Sequence, residues 1–128
     1  MKKIILSLVL LLCSAAMSLA ADVTSLTDAN RSELIDKSVR PYVIDFNASW
    51  CGPCRMFAPT FHKVAKDMGA RVDFYSVDVD NNPQLCTDYG IRAVPTIIIV
   101  NPRTKKQQII QGLTDEDTFV GVINKVIK

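Results

Sequence analysis

The chain has 128 residues, of which 48% are hydrophobic and 22% charged, a size and composition that predict one globular domain. Its formal net charge at pH 7 is +2, and it has neither long basic blocks nor basic residues interleaved with aromatic ones, so no nucleic-acid partner is expected. The sequence contains no internal repeat, low-complexity segment or interdomain linker.

The first 20 residues have the pattern of a secretory signal peptide. Two lysines precede an apolar run over 4–12, and small residues stand where cleavage after Ala20 would occur. A membrane anchor is the alternative, but a span needs roughly 20 apolar residues and this run is shorter. We therefore predict a cleaved signal peptide at 1–20, a domain at 21–128, and an exported protein, periplasmic or secreted.

The four cysteines divide into one close pair and two single residues. Cys13 belongs to the signal peptide, and lipid modification there is disfavoured because bulky Leu12 precedes it. A disulfide-stapled fold would show an even set at scattered positions, whereas the mature domain keeps Cys51, Cys54 and Cys86. This pattern predicts that Cys51 and Cys54 form a redox-active pair. Cys86 is predicted to be a partly buried apolar residue rather than a resolving or regulatory thiol.

Hydrophobic periodicity, together with prolines and glycines that end helices and strands, predicts nine secondary-structure elements in the order β-α-β-α-β-α-β-β-α. The first helix is predicted over 28–37, capped by Thr27 or Asp28, and the last helix is capped by Thr114. Pro59 lies inside the second helix and should kink it. Strands are predicted over 21–26, 42–46, 72–79, 97–100 and 107–111, with the remaining helices over 51–68 and 83–89.

Cys51 and Cys54 lie between the apolar run 42–46 and the helical run 56–68. Two thiols three positions apart at a helix start are suited to reversible dithiol–disulfide chemistry, because the sulfurs can meet when oxidised. When reduced, a thiolate there is stabilised by free backbone N–H groups and the positive end of the helix dipole.

Asp45 interrupts the apolar strand that precedes the cysteine pair. A carboxyl group buried in such a strand loses hydration, so its pKa should rise. An edge-strand Asp facing water is the alternative. The position of Asp45, six residues before Cys51, favours the functional interpretation.

His62 is the only histidine, and its position outside the apolar stripe of its helix predicts a solvent-facing residue. Zinc binding by Cys51, Cys54 and His62 is disfavoured, since eight residues of helix place His62 about 12 Å beyond Cys54. A second Cys/His pair to complete a tetrahedral site is also missing from the sequence. We therefore predict no metal.

Several motifs together resemble the thioredoxin family, over residues 26–128. They are Asp45, Trp50-Cys51-Gly52-Pro53-Cys54, Tyr89-Gly90-Ile91-Arg92, Val94-Pro95-Thr96 and Gly112, in that order. The resemblance implies an α/β thioredoxin-like fold, with a central five-stranded mixed sheet flanked by four helices. It also implies a cis-proline at Pro95, a dithiol at the protein surface, and a redox disulfide, Cys51–Cys54, that needs no cofactor.

The sequence departs from the family pattern at two positions. Asn47 stands where the family commonly has an aromatic residue, and Ser76 stands where many members carry a lysine near the buried Asp. We expect looser packing behind the site and an altered environment for Asp45.

The resemblance implies catalytic roles for three residues. Cys51, the more exposed thiol, is the nucleophile that forms a mixed disulfide, and Cys54 resolves it. Asp45 accepts the Cys54 proton through a water molecule. Arg55 is either a positive charge beside the thiols or a solvated helix residue. The substrate-binding groove comprises Trp50, Gly52, Pro53, Val94, Pro95 and Gly112.

The Gly52-Pro53 dipeptide indicates the direction of electron flow. In the family this dipeptide resembles the reducing members, whereas a histidine there would stabilise the thiolate and make a stronger oxidant. We expect a monomeric reductase of disulfide-containing exported proteins, regenerated by a membrane thiol–disulfide electron donor. The alternatives are an exported oxidase or isomerase and a binding module without redox turnover.

Overall fold

Five strands form one mixed sheet in the computed structural model, which describes residues 22–128. The strands are β1 Thr24–Ser25, β2 Tyr42–Asn47, β3 Asp73–Asp78, β4 Thr96–Asn101 and β5 Lys106–Gln111. The helices are α1 Arg31–Leu34, α2 Gly52–Met68, α3 Pro83–Tyr89 and α4 Glu116–Ile127. This order confirms the predicted succession of elements and the fold class. The predicted signal peptide and Cys13 lie outside the described residues.

The sheet has the order β1-β3-β2-β4-β5, which places β2 at its centre. β2 pairs with β3 in parallel and with β4 antiparallel, while β1 and β5 form the two edges. Every residue of β2 except Asn47 is buried, as expected for a strand covered on both faces. Helices connect the parallel strands, and the antiparallel pair β4–β5 needs only a short hairpin.

Each face of the sheet has its own apolar core, because successive strand residues point to opposite sides. Val43 and Ile97 face α2 and α4, where aromatic rings from both helices meet; the Phe57 and Phe119 centroids lie 5.2 Å apart. The other face packs against α1 and α3 and contains Ile44 and Phe46 among its fully buried side chains. Alternation along β2 therefore places Asp45 and Asn47 on the face covered by α2.

The N-terminal segment differs most from the sequence-based prediction. β1 is limited to two residues, and α1 is four residues long rather than the ten predicted. Thr27 and Asn30 bond each other's backbone N–H groups and form a turn, so the helix begins later. Asp28 does not cap α1; its carboxylate accepts bonds from the backbone N–H groups of Gln84 and Leu85, at 3.1 and 2.8 Å, and caps α3 instead.

Two further helix starts differ from the predictions by one position. α4 begins at Glu116 and is capped by Asp115, whose Oδ1 accepts a 2.8 Å bond from the Thr118 N–H. Thr114 is therefore not the cap, because the carboxylate one residue later reaches the free N–H group. α2 begins at Gly52 and continues through Pro59. Within residues 22–128, no helix is both long and apolar enough to cross a membrane.

Candidate active site

The cysteine pair lies where β2 ends and α2 begins. Cys51 is the N-cap residue of α2 and is disulfide-bonded to Cys54, with 5.3 Å between the two Cα atoms. The Cys51 Sγ also accepts a hydrogen bond from the Cys54 backbone N–H at 3.2 Å. Because N–H groups of the first helical turn have no partner within the helix, this contact gives negative charge on Cys51 a stabilising donor.

The two cysteines are equally buried, each with 5% of its surface exposed. The prediction that Cys51 is the exposed thiol is therefore wrong for the oxidised protein. The disulfide packs in a small apolar cluster with Ala48, against which Val79 and Val94 also pack. The Cys51 side chain, bonded to Cys54, therefore lies within this cluster.

Asp45 has only 5% of its surface exposed, so its predicted burial is confirmed. Loss of hydration raises the pKa of the carboxyl to about 7, partly offset by a contact from the Asn47 side-chain amide. Among the described residues, no group hydrogen-bonds to Asp45 Oδ1. A carboxyl with a pKa near neutrality and a free oxygen can both take up and release a proton.

A cavity of about 220 Å³ joins Asp45 to the disulfide. Asp45 and Cys54 both line it, together with Arg55, His62 and Ser76. His62 is solvent-exposed, as predicted, yet it belongs to this cavity wall. The volume and the polar lining suit water, which can connect the carboxyl to the sulfur of Cys54.

Arg55 combines features of the two interpretations made from the sequence. It is exposed, and its guanidinium donates a 2.9 Å bond to the Ser49 carbonyl while also lining the Asp45 cavity. The positive charge therefore lies close to the disulfide loop, held by a backbone contact.

The residues assigned to the substrate groove are only partly joined by direct contacts. Val94–Pro95 is a cis peptide bond, confirming the prediction. The Pro95 carbonyl accepts a 2.9 Å bond from the Gly112 N–H, and Gly112 has a φ of +83°, a conformation that favours glycine. Val94 packs on the disulfide cluster and shares a second cavity with Trp50. Gly52 and Pro53 form the first turn of α2.

Asp80 is the residue of the site that the sequence analysis missed. Its Oδ2 accepts a 2.9 Å bond from the Nε1–H of Trp50, a side chain that is 65% exposed. Asp80 follows β3 in a polar turn, 30 residues away in sequence. Its position at the carboxyl end of a strand next to β2 was the available indication.

Cys86 forms no disulfide within residues 22–128 and is partly buried, as predicted. Burial raises its thiol pKa, which disfavours the reactive thiolate. It lines the second cavity, near Trp50 and Val94. Within residues 22–128, no three His, Cys, Asp or Glu side chains are grouped closely enough to hold a metal ion.

Thiol–disulfide oxidoreductases act through a disulfide between two cysteines of one helical turn, which is reduced and re-formed. This fold and the Cys51–Cys54 disulfide define that class of protein. A family model described as Thioredoxin matches residues 22–125. The chain therefore belongs to the thioredoxin family, and its redox group is a disulfide of the protein itself.

Thioredoxins of several organisms are similar in sequence. Thioredoxin 1 of Nostoc sp. is 39% identical over 109 residues, covering 85% of this chain and 98% of the relative. The thioredoxin of Borreliella burgdorferi is 37% identical over 94 residues, covering 73% and 80%. Thioredoxin M4 of Arabidopsis thaliana, a chloroplastic protein, is 36% identical over 108 residues, covering 84% of this chain but only 55% of that longer protein.

Solved structures show the same fold. A thioredoxin of Malassezia sympodialis superposes with a TM-score of 0.71 at 30% identity, covering 83% of this chain and 91% of that structure. Chloroplastic thioredoxin z gives a TM-score of 0.73 at 28% identity, covering 80% and 92%. Together with the Cys51–Cys54 disulfide, these homologues support a protein-disulfide reductase.

Proposed function

We propose that this protein reduces disulfides of exported proteins and acts as a monomer, with electrons supplied by a membrane thiol–disulfide carrier. The observation that carries the proposal is the Cys51–Cys54 disulfide, which is closed around Gly52 and Pro53 at the start of α2. The intervening dipeptide places no cationic side chain beside the sulfurs. Without one, the reduced form has less electrostatic stabilisation and is the better electron donor.

The reaction transfers two electrons from the dithiol to the target disulfide. The Cys51 thiolate attacks one sulfur of the target, a mixed disulfide forms, and the other target sulfur leaves as a thiolate that takes a proton. The Cys54 thiolate then attacks the Cys51 sulfur and releases the second target thiol. The protein is left with the Cys51–Cys54 disulfide. The N–H donor 3.2 Å from Cys51 Sγ favours the first thiolate.

Asp45 is assigned the proton of Cys54. The two residues line one cavity, and a water molecule there can pass the proton to the unpartnered Asp45 Oδ1. A carboxyl whose pKa lies near 7 is matched to this task near neutral pH, whereas an exposed carboxyl would be too weak a base.

Substrate binding is assigned to Trp50, Gly52 and Pro53 on one side of the disulfide and to Val94, Pro95 and Gly112 on the other. Val94 lies just outside the sheet, before β4 begins at Thr96. Its backbone can therefore pair with an extended segment of the target in the manner of an added strand.

Export would separate the protein from cytosolic reductants, so electrons must cross the membrane through another thiol protein. The support is the pattern of residues 1–20.

The decisive experiment is thiol trapping in intact cells, followed by fractionation and by gel analysis of the Cys51–Cys54 redox state. We expect the protein outside the cytosol, shortened by 20 residues and at least partly reduced. Deleting candidate membrane donors should oxidise it, and Cys51→Ser should abolish the response. A pair that is wholly oxidised with and without the donors would contradict reduction and favour an oxidase. A reduced pair in the cytosol would contradict export.

A further inference from the structure

Three polar side chains share the face of the sheet that lies under α2. Asp45 and Asn47 are two residues apart on β2, so their side chains point the same way, and Ser76 is the register partner of Asp45 on β3. The amide of Asn47 lies among them: its Nδ2 is 2.7 Å from Ser76 Oγ, 3.0 Å from the Asp45 carbonyl and 3.5 Å from Asp45 Oδ2. Asn47 and Ser76 are the two positions that depart from the family pattern.

A side-chain amide has two N–H donors, and Asn47 has three acceptors. The two short contacts, to Ser76 and to the Asp45 carbonyl, take both hydrogens. The 3.5 Å contact with the carboxyl is long for a hydrogen bond. When the carboxyl ionises, Oδ2 becomes the strongest acceptor of the three, because hydrogen bonds to a charged oxygen are shorter and stronger. The Asn47 amide can then break its hydrogen bond to Ser76 Oγ and donate to Asp45 Oδ2 instead.

We propose that Asn47 is a positioning residue for Asp45. The side-chain amide of Asn47 donates to Ser76 while Asp45 is neutral, and it moves to Asp45 Oδ2 when Asp45 ionises. The inference rests on the proposed function only in assigning a proton to Asp45. Engaging Oδ2 leaves Oδ1, the oxygen without a partner, to exchange protons through the cavity shared with Cys54.

The other groups around Asp45 do not supply this contact. On the β4 side, its register partner is the apolar Ile97. From α2, the titratable or charged residues lining the cavity are Cys54, Arg55 and His62. Cys54 is in the disulfide, and the Arg55 guanidinium bonds the Ser49 carbonyl. Within the described residues, Asn47 is the only side chain with a hydrogen-bonding contact to the Asp45 carboxyl oxygens.

The proposal predicts opposite effects for its two supporting residues. Asn47→Leu removes the donor to the ionised carboxylate, so the pKa of Asp45 should rise by about one pH unit. Ser76→Ala removes the competing acceptor and frees the amide for Asp45, so the pKa of Asp45 should fall. Ser76→Thr keeps the hydroxyl and should leave the pKa unchanged. A residue that only filled space would not give opposite signs at the two positions.

The measurement is an NMR titration of the Asp45 carboxyl carbon in the oxidised full-length protein, in which the disulfide removes Cys51 and Cys54 from the titration. Asp45→Asn identifies the signal, and repeating the series in a His62→Gln background removes the imidazole that lines the same cavity. If Asn47→Leu does not fold, the Ser76→Ala and Ser76→Thr pair decides alone.

An Asp45 pKa that rises in Ser76→Ala, or that stays unchanged in both Asn47→Leu and Ser76→Ala, overturns the proposal. The titration uses neither substrate nor electron donor. If the Asp45 pKa shifts in opposite directions but the trapping experiment fails, the positioning role of Asn47 stands and the exported reductase is contradicted. If trapping succeeds but the pKa shifts are missing, the exported reductase stands and the positioning role is contradicted.

Discussion

The indole N–H of Trp50 donates a hydrogen bond to the carboxylate of Asp80, 2.9 Å away, and joins the residue before Cys51 to the turn after β3. Trp50 is 65% exposed, so burial does little to fix its ring. The bond to Asp80 therefore supplies much of the constraint on this edge of the disulfide loop. Trp50 also lines the cavity beside Val94, so its orientation affects the surface assigned to the substrate.

Asp80→Ala should release the Trp50 side chain. We expect disulfide reduction to slow several-fold, with folding stability reduced by only about 1 kcal/mol, because a single exposed hydrogen bond is lost. Insulin reduction and Trp fluorescence anisotropy measure the two effects. Asp80→Asn keeps an oxygen acceptor and is the matched control; if both variants reduce insulin at the wild-type rate, the bond has no role in the site.

Asp45 should make the oxidised protein less stable as pH rises. Burial raises its folded-state pKa from 3.8 to about 7, so the native state holds the proton over a range in which the unfolded chain has lost it. The associated stability is fully present below pH 4 and is lost as pH rises toward 7. Asp45→Asn should therefore match the wild type near pH 3.5 and exceed it by about 2–4 kcal/mol at pH 8. Urea unfolding at both pH values tests this. An equal difference at the two pH values would mean that ionisation of Asp45 is not its cause.

Much of the site follows from local pattern. The apolar run 42–46 was enough to predict the burial of Asp45, and the helical periodicity of 56–68 was enough to place Cys51 and Cys54 at a helix start. The missed features join segments that are far apart in sequence. Asp28 caps α3 rather than α1 because packing of the two segments brings its carboxylate to the N–H groups of Gln84 and Leu85. No local preference contains that information.

The burial of Cys51 was wrongly predicted for a related reason. The sequence identifies the first cysteine of the pair as the more accessible position, but its exposure depends on what the disulfide packs against. Ala48 and Val94 come from the two sides of the site and cover it. The packing of Ala48 and Val94 around Cys51 is a tertiary contact, which the local sequence does not reveal.

Two glycines should respond in opposite directions to alanine. Gly112 has a φ of +83°, so Gly112→Ala is strained although no atom lies within 4 Å of the added Cβ, and we expect a loss of about 1 kcal/mol. Gly121 lies inside α4, where the added Cβ also meets open space, so Gly121→Ala should stabilise by roughly 0.5–1 kcal/mol. Thermal unfolding compares them, and two shifts of the same sign would contradict the backbone argument.

The two active-site cysteines should differ in what they trap. Cys54→Ser keeps the attacking thiol and removes the resolving one, so it should accumulate a stable mixed disulfide through Cys51. Cys51→Ser leaves only Cys54 and should accumulate at least about tenfold less, because the backbone N–H donor that stabilises a thiolate lies on the Cys51 sulfur, 3.2 Å away. Cys86→Ala is the background for both, because it removes the one other free thiol of the described residues. Burial raises the pKa of Cys86, so Cys86→Ala alone should reduce insulin within about twofold of the wild-type rate. Non-reducing gels and mass spectrometry after incubation with a disulfide substrate give the yields. Equal trapping by the two serine variants would contradict the assignment of Cys51 as the nucleophile.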